Sequence, residues 1–86
     1  MPGRVLPVVE VTWVDAASGG GWASPDQYVR DHGTLIEIRS VGLLLSRDRR
    51  RLVLVQSCDN QPGERRRVAD SLTIPAAGVR RVRRLR

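Results

Sequence analysis

The stretch from Thr34 to Ser57, TLIEIRSVGLLLSRDRRRLVLVQS, constrains the fold more than any other part of this chain. Two apolar runs rich in β-branched residues flank a polar connector, Ser46 to Arg51. Such a pattern predicts a strand, a turn and a returning strand, Leu52 to Ser57. Because no other segment is as long or as apolar, we expect this hairpin to form the middle of the core.

Two details of the hairpin bear on its surroundings. Gly42 interrupts the first apolar run, and a glycine there predicts a bulge or a sharp bend of the kind that small barrels need. In the returning strand, Leu52 and Leu54 alternate with Val53 and Val55, so both faces are apolar. A strand that is apolar on both faces in so small a protein indicates a contact between subunits.

Shorter strands are predicted on both sides of the hairpin. Val8–Asp15 places alternate apolar residues, Trp13 among them, on one face. Ser71–Ile74 forms another short strand after a loop, Cys58 to Asp70. Val79–Arg86 is interpreted as a final strand, with a short helix as the alternative, because its apolar residues recur every three positions.

A short helical turn is predicted between the first strand and the hairpin. The glycine-rich loop Ala16–Gly21 precedes Trp22–Gly33, where Ser24 has the chemistry of a helix N-cap and Gly33 is placed to end the helix. A helix this short is marginal alone, so we expect it to dock through Tyr28 and Val29. An irregular loop containing one helical turn is the competing interpretation.

These elements predict a mainly β protein, a small five-stranded SH3-like or Sm-like barrel with the helical turn between its first two strands. The chain of 86 residues is expected to form one domain, 1–86. Residues 1–7 are expected to be a flexible N-terminus, and residues 80–86 an arginine-rich end.

The net charge of +6 comes entirely from arginine, since all fifteen basic residues are Arg. Arginine presents a planar fork of donors that suits phosphate and carboxylate oxygens. Twelve of the fifteen fall in three clusters, and such a field attracts anions such as nucleotides, nucleic acid or acidic protein faces. The clusters are Arg47 with Arg49–Arg51, Arg65–Arg67, and Arg80, Arg81, Arg83, Arg84 and Arg86.

Catalysis is difficult to build from this sequence. His32 and Cys58 are the only residues of their types, and neither has an identifiable partner for nucleophilic chemistry. One His and one Cys do not supply a four-ligand metal site. We therefore expect a protein that is not an enzyme and has no cofactor. A single cysteine, with no signal-peptide or membrane-spanning pattern, further predicts a cytosolic protein without a membrane partner.

The ingredients for holding a nucleotide are present. Trp13 and Trp22 could stack on a base, which is worth about 1–3 kcal/mol, although Trp13 is in phase with a core face. Polar residues in otherwise apolar strands could contact the base edge or ribose, and Arg side chains the phosphate. The candidate ligand-binding residues are Trp13, Trp22, Arg39, Ser40, Arg47, Gln56 and Ser57, and the alternative anion-binding set is Arg65, Arg66, Arg67, Arg80, Arg81, Arg83 and Arg84.

Several short motifs occur in an order that resembles a family of small uncharacterised bacteriophage proteins. The resemblance spans roughly residues 8 to 82, and it implies a phage or prophage origin, with action in the host cytoplasm. The turn before the final strand likewise resembles the 3₁₀ turn of SH3 domains. The motifs are Trp13-Val14-Asp15, Gly21-Trp22, Arg39 to Leu44, Val53 to Ser57, and Ile74-Pro75 followed by Val79.

Three functions are compatible with these observations. The first is a non-catalytic, homo-oligomeric phage protein that sequesters a small anionic nucleotide, such as a host-defence signal. The second is a nucleic-acid-binding barrel that places its basic loops and end on phosphates. The third is a structural or protein-interaction module of the phage that uses its edge strands.

Overall fold

The computed structural model describes residues 5–15, 21–59 and 61–86. All five predicted strands are present, and the arginine-rich end is a strand rather than a helix. The strand predicted from Ser71 begins earlier, at Val68, so the preceding loop is shorter than expected. In chain order the elements are β1 (Val8–Asp15), α1 (Pro25–His32), β2 (Ile36–Arg47), β3 (Arg51–Cys58), the 3₁₀ turn η1 (Gly63–Arg65), β4 (Val68–Pro75), the 3₁₀ turn η2 (Ala76–Gly78) and β5 (Val79–Arg84).

The strands form one antiparallel sheet in the order β4-β3-β2-β1-β5. The mainly β prediction is confirmed, but the closed SH3-like or Sm-like barrel is not, because no ladder joins β4 to β5 in the described residues. The reason is the connection between them. η2 crosses from the side of β3 to the side of β1, so β4 pairs with β3 while β5 pairs with β1.

The core is aliphatic apart from the indole of Trp13. The contacts among the core residues show that the sheet is strongly curled. β1 and β3 are not neighbours in the sheet, yet their inward side chains meet in one buried cluster. This contact requires the two halves of the sheet to face each other. The buried members of the cluster are Val9, Val11, Trp13, Leu52, Leu54 and Ile74.

Strand β2 makes the curl possible because it is shared between the two halves. Its first part pairs with β1, its last part pairs with β3, and the bulge lies between Leu44 and Ser46 rather than at the predicted glycine. Gly42 instead permits a close approach of β3. A Cβ at this buried position would lie 3.1 Å from the Val55 carbonyl oxygen and 3.3 Å from the Leu54 Cβ.

The opposite face of the sheet has its own buried residue, Val55. Leu43 lies opposite Val55 in the ladder, and Leu6 lines a concavity together with Leu43. Pro7 continues this contact, because its carbonyl oxygen accepts the N–H of Leu44 at 2.8 Å. Leu6 and Pro7 are therefore held against the sheet, Val5 is 86% exposed, and residues 1–4 lie outside the described part of the chain.

Helix α1 forms as its capping residues predict. The Oγ of Ser24 accepts the N–H of Gln27 at 3.3 Å, and Gly33 ends the helix by donating its N–H to the Val29 carbonyl. Docking was expected through Tyr28 and Val29. For Val29 the prediction is wrong, since this residue is 69% exposed, whereas Tyr28 is half-buried; α1 has no extensive packing against the described strands. The predicted loop Ala16–Gly21 lies outside the described residues except for Gly21.

The molecule is elongated. Its principal extents are 60 × 22 × 20 Å and its radius of gyration is 17.4 Å. A compact domain of this length has a radius of gyration of about 12 Å. We call residues 15–37, of which 15 and 21–37 are described, the arm.

Candidate nucleic-acid interface

Trp13 and Ser40, two of the candidate ligand residues, are joined to each other inside the fold. Trp13 is 9% exposed and packs in the core, and its Nε1 donates a hydrogen bond to the Oγ of Ser40 at 3.0 Å. Ser40 lies opposite Val11, so its side chain is on the same inward face. The pair accounts for a serine in an apolar strand, because the hydroxyl satisfies the indole N–H.

Trp22, which belongs to the arm, is fully exposed. Trp22 is exposed to solvent and Trp13 is buried in the core, so the two rings do not form one stacking site. The two indoles that were predicted to stack on a base are therefore not brought together by the described residues of a single chain.

The other four candidate ligand residues are distributed over the sheet. Arg39 lies on the outer face opposite Thr12, and Arg47 lies near the β2–β3 turn opposite Leu52. The Nε2 of Gln56 donates to the Val41 carbonyl at 3.1 Å, and Ser57 lines an open concavity with Cys58. The structure therefore joins Trp13 with Ser40 and does not gather the seven residues into one pocket.

The β2–β3 turn is an ordered platform for four arginines. The Oδ1 of Asp48 accepts the N–H groups of Arg50 at 2.7 Å and Arg51 at 2.9 Å. These two bonds, that to Arg50 first, hold the pKa of the Asp48 carboxyl below its usual value. Asp48 thus fixes the turn, and the four Arg side chains around it, at 47 and 49–51, all belong to exposed residues.

The η2 turn brings this platform next to the start of β5. The N–H of Ala76 donates to the Arg50 carbonyl at 2.9 Å, and the Nη1 of Arg80 donates to the Ala77 carbonyl at 3.2 Å. Two arginine clusters that are thirty residues apart in the chain therefore meet at one end of the sheet. The sequence contains no periodic or compositional signal for this meeting, because it depends on how η2 packs.

Strand β5 continues the basic surface along an edge of the sheet. Val79 and Val82 point towards the core, while the arginines of β5 are exposed. The Nη2 of Arg83 lies 3.4 Å from the Glu10 carboxylate. We call this surface the basic band, and it consists of Arg47, Arg49, Arg50, Arg51, Arg80, Arg81, Arg83 and Arg84.

One row of side chains extends the basic band across the outer face. Arg81 on β5 and Arg39 on β2 both lie opposite Thr12 of β1. Because neighbouring strands are about 4.8 Å apart, the two arginine Cα atoms are separated by roughly 10 Å. A phosphate above the Thr12 hydroxyl would be within reach of a guanidinium on either side.

The third arginine cluster, Arg65–Arg67, lies outside the basic band, and Arg67 contacts an acid of the same chain. The N–H of Arg67 donates to the Asp59 Oδ1 at 3.1 Å, and its Nε lies 3.4 Å from Oδ2. The Arg67 N–H is the largest cause that lowers the pKa of Asp59. This cluster begins at the last residue of η1, between β3 and β4, and it is not part of the basic band.

Within the described residues, no group of three or more His, Cys, Asp or Glu side chains is arranged to hold a metal ion. Cys58 is half-buried, with its Sγ 3.5 Å from the Asp59 carbonyl. The side chain of His32 lies outside the described part of the structure. No helix among the described residues is long and apolar enough to cross a bilayer.

Comparison of the chain with models of protein families, with curated proteins and with solved structures yields no match. The resemblance to small bacteriophage proteins therefore remains a hypothesis carried by the motifs quoted above.

Proposed function

We propose that this protein is a non-catalytic nucleic-acid-binding protein that holds the phosphate backbone along the basic band. The observation that carries the proposal is the meeting of two arginine clusters at η2, where Arg50 and Arg80 contact consecutive residues of the turn. The basic band contains eight exposed arginines, and the acids beside them already accept hydrogen bonds from it, Asp48 from the N–H groups of Arg50 and Arg51 and Glu10 from Arg83.

The form of this surface favours a polymer over a small molecule. Arg81 and Arg83 are about 7 Å apart along the strand, and the turn extends the charge beyond them. An exposed, linear series of guanidinium groups suits successive phosphates, which supply sequence-independent affinity. The same surface lacks a buried aromatic pocket for a base, so we expect little sequence preference.

Sequestration of a small anionic nucleotide by a phage protein in the host cytoplasm is the second candidate. Its support is Trp22, a fully exposed ring that is available for stacking. Because one chain does not gather the candidate residues, a nucleotide pocket of this kind would require residues from two subunits.

The test is the affinity for labelled single-stranded and duplex oligonucleotides, measured by fluorescence anisotropy over a range of salt concentrations. Four to six phosphate contacts predict a slope of log K against log salt of about −3 to −5. Replacing Arg49 and Arg81 by Gln should reduce the magnitude of that slope by about 1.5 to 2.

The matched control removes two charges elsewhere, by Arg30→Gln and Arg65→Gln. It should change the slope much less than the pair in the basic band. Equal effects of the two double variants, or saturable binding of a mononucleotide with a weak response to salt, would contradict the nucleic-acid proposal. The latter result would instead support sequestration.

A further inference from the structure

The arm presents an apolar surface that no described element of the same chain covers. Trp22 is fully exposed, Val29 is 69% exposed, and Leu35 and Ile36 are more than half exposed. Helix α1 has eight residues, and an isolated helix of that length is marginal in water. Both properties are typical of a segment that becomes stable when it packs against a partner.

The arm also differs from the remainder of the chain in charge. Residues 15–37 contain four acids, Asp15, Asp26, Asp31 and Glu37, and one arginine, Arg30. The arm thus carries −3, and because the whole chain carries +6, the remainder carries +9. Two arms placed side by side would repel, whereas an arm placed on the remainder of another chain would be attracted.

A complementary surface lies at the far end of β1. An open concavity of about 440 Å³ lies between the ends of β3 and β4, lined by Ser57, Cys58, Asp59, Arg67, Val68 and Ala69. A smaller concavity adjoins it through Cys58 and Asp59, and Val5 and Arg66 reach it. Apolar residues are exposed here too, since Val5 is 86% and Val68 is 39% exposed.

The geometry separates the two surfaces within one chain. Val5 and Leu6 precede β1 and the arm follows it, and eight extended residues span about 25 Å. In the described conformation, the arm of a chain therefore does not cover the concavity of the same chain. The end of the sheet that bears the concavity also carries more arginines than acids. Arg65–Arg67 equal Asp59, Glu64 and Asp70 in number, and the surplus comes from the end of β5, where Arg83, Arg84 and Arg86 face one acid, Glu10.

We propose that the arm of one copy docks in the Cys58–Val68 concavity of a second copy, so that the protein assembles head to tail. The apolar residues of the arm cover the exposed valines, and its acids face the arginines at the rim. Such an interface is heterologous, so it closes into a ring or continues as a filament according to the rotation between neighbours. The residues altered in the tests below, in the arm and around the concavity, are not members of the basic band.

The first test uses the unmodified protein, whose one cysteine lies in the concavity. Native mass and light scattering should show oligomers whose population rises with concentration. The rate at which a thiol reagent modifies Cys58 should fall at least several-fold over the same range, because the arm of the neighbour covers it. A protein that stays monomeric up to millimolar concentration would overturn the proposal.

The second test separates the two surfaces by mutation. Trp22→Ser damages the arm, and Val68→Asp damages the concavity, so each variant alone should be monomeric. Mixed together, they retain one intact arm and one intact concavity, and a 1:1 heterodimer that grows no further is expected. Continued self-association of Val68→Asp would show that arms contact arms and would overturn the head-to-tail assembly.

If Val68→Asp fails to fold, Val5→Asp, at a more exposed position, replaces it in the mixture. Loss of association without loss of oligonucleotide binding is the expected result for all of these variants. Should oligonucleotide binding fail in the unmodified protein while the heterodimer still forms, only the proposed function would be lost. Should the heterodimer fail while binding persists, only this interface would be lost.

Discussion

Replacing Ser40 by Ala should destabilise the fold rather than empty a binding site. The change removes the acceptor of the Trp13 Nε1–H, a 3.0 Å hydrogen bond to an indole that is 9% exposed. An unsatisfied buried donor costs about 1–3 kcal/mol. Because Ser40 is only partly buried, water can replace some of the bond, and we expect about 1–2 kcal/mol.

Each kcal/mol should lower the Tm by roughly 4–8 °C for a domain of this size. The measurement is denaturant and thermal unfolding followed by far-UV circular dichroism, at one fixed protomer concentration because association would shift the midpoint. Combining Ser40→Ala with Trp13→Phe in a double-mutant cycle should give a coupling energy of about 0.5–1.5 kcal/mol.

Ser57→Ala is the matched control, because Ser57 is an exposed serine on β3 and should change stability by less than about 0.5 kcal/mol. The reasoning would be refuted if Ser40→Ala unfolded like Ser57→Ala while it reduced the affinity for a nucleotide. In that case the hydroxyl would be a ligand contact, as the sequence pattern first proposed.

Gly42→Ala should cost about 1–3 kcal/mol in unfolding experiments, because its Cβ would press on the β3 backbone at 3.1 Å; an unchanged denaturation midpoint would mean that β3 can move away. Trp22→Ser should leave the stability of the protomer within about 0.5 kcal/mol, since the ring is fully exposed, and a large loss under monomeric conditions would contradict the described arm. Acid should weaken the fold through Asp48 and Asp59, whose folded-state pKa values are lowered by backbone N–H donors. A lowered pKa stabilises the folded state above the unfolded carboxyl value of about 3.9, so this contribution should be constant from pH 5 to 7 and lost as the pH falls below about 4. The Asp48→Asn, Asp59→Asn double variant should show a shallower decline in denaturant midpoint over that acidic range, and an identical decline would show that other carboxyls dominate.

Local chemistry explains why much of the fold was predictable from the sequence. The alternation of apolar and polar residues predicted β1 and the hairpin, since a strand exposes its two faces with a period of two. Ser24 and Gly33 predicted both ends of α1, because capping satisfies backbone groups within a few residues of each other. The final strand was ambiguous on spacing alone, and pairing with β1 decides it.

The candidate site was much less predictable, because the role of each of its polar side chains depends on which residues lie next to it in the folded chain. Ser40 and Trp13 share a hydrogen bond across two strands, and the sequence shows only that each is unusual in its place. The meeting of the β2–β3 turn with β5 depends on η2, whose short segment crosses between the halves of the sheet. No local pattern encodes that crossing.

By itself, the sequence determined that this chain is a mainly β protein with an aliphatic core and a surplus of arginine. It did so because periodicity and charge are properties of neighbouring residues. The tertiary structure decided that the sheet stays open, that Trp13 is sealed in the core and that two arginine clusters form one band. Those outcomes depend on which distant segments pack together, and packing is governed by shape and burial over the whole chain.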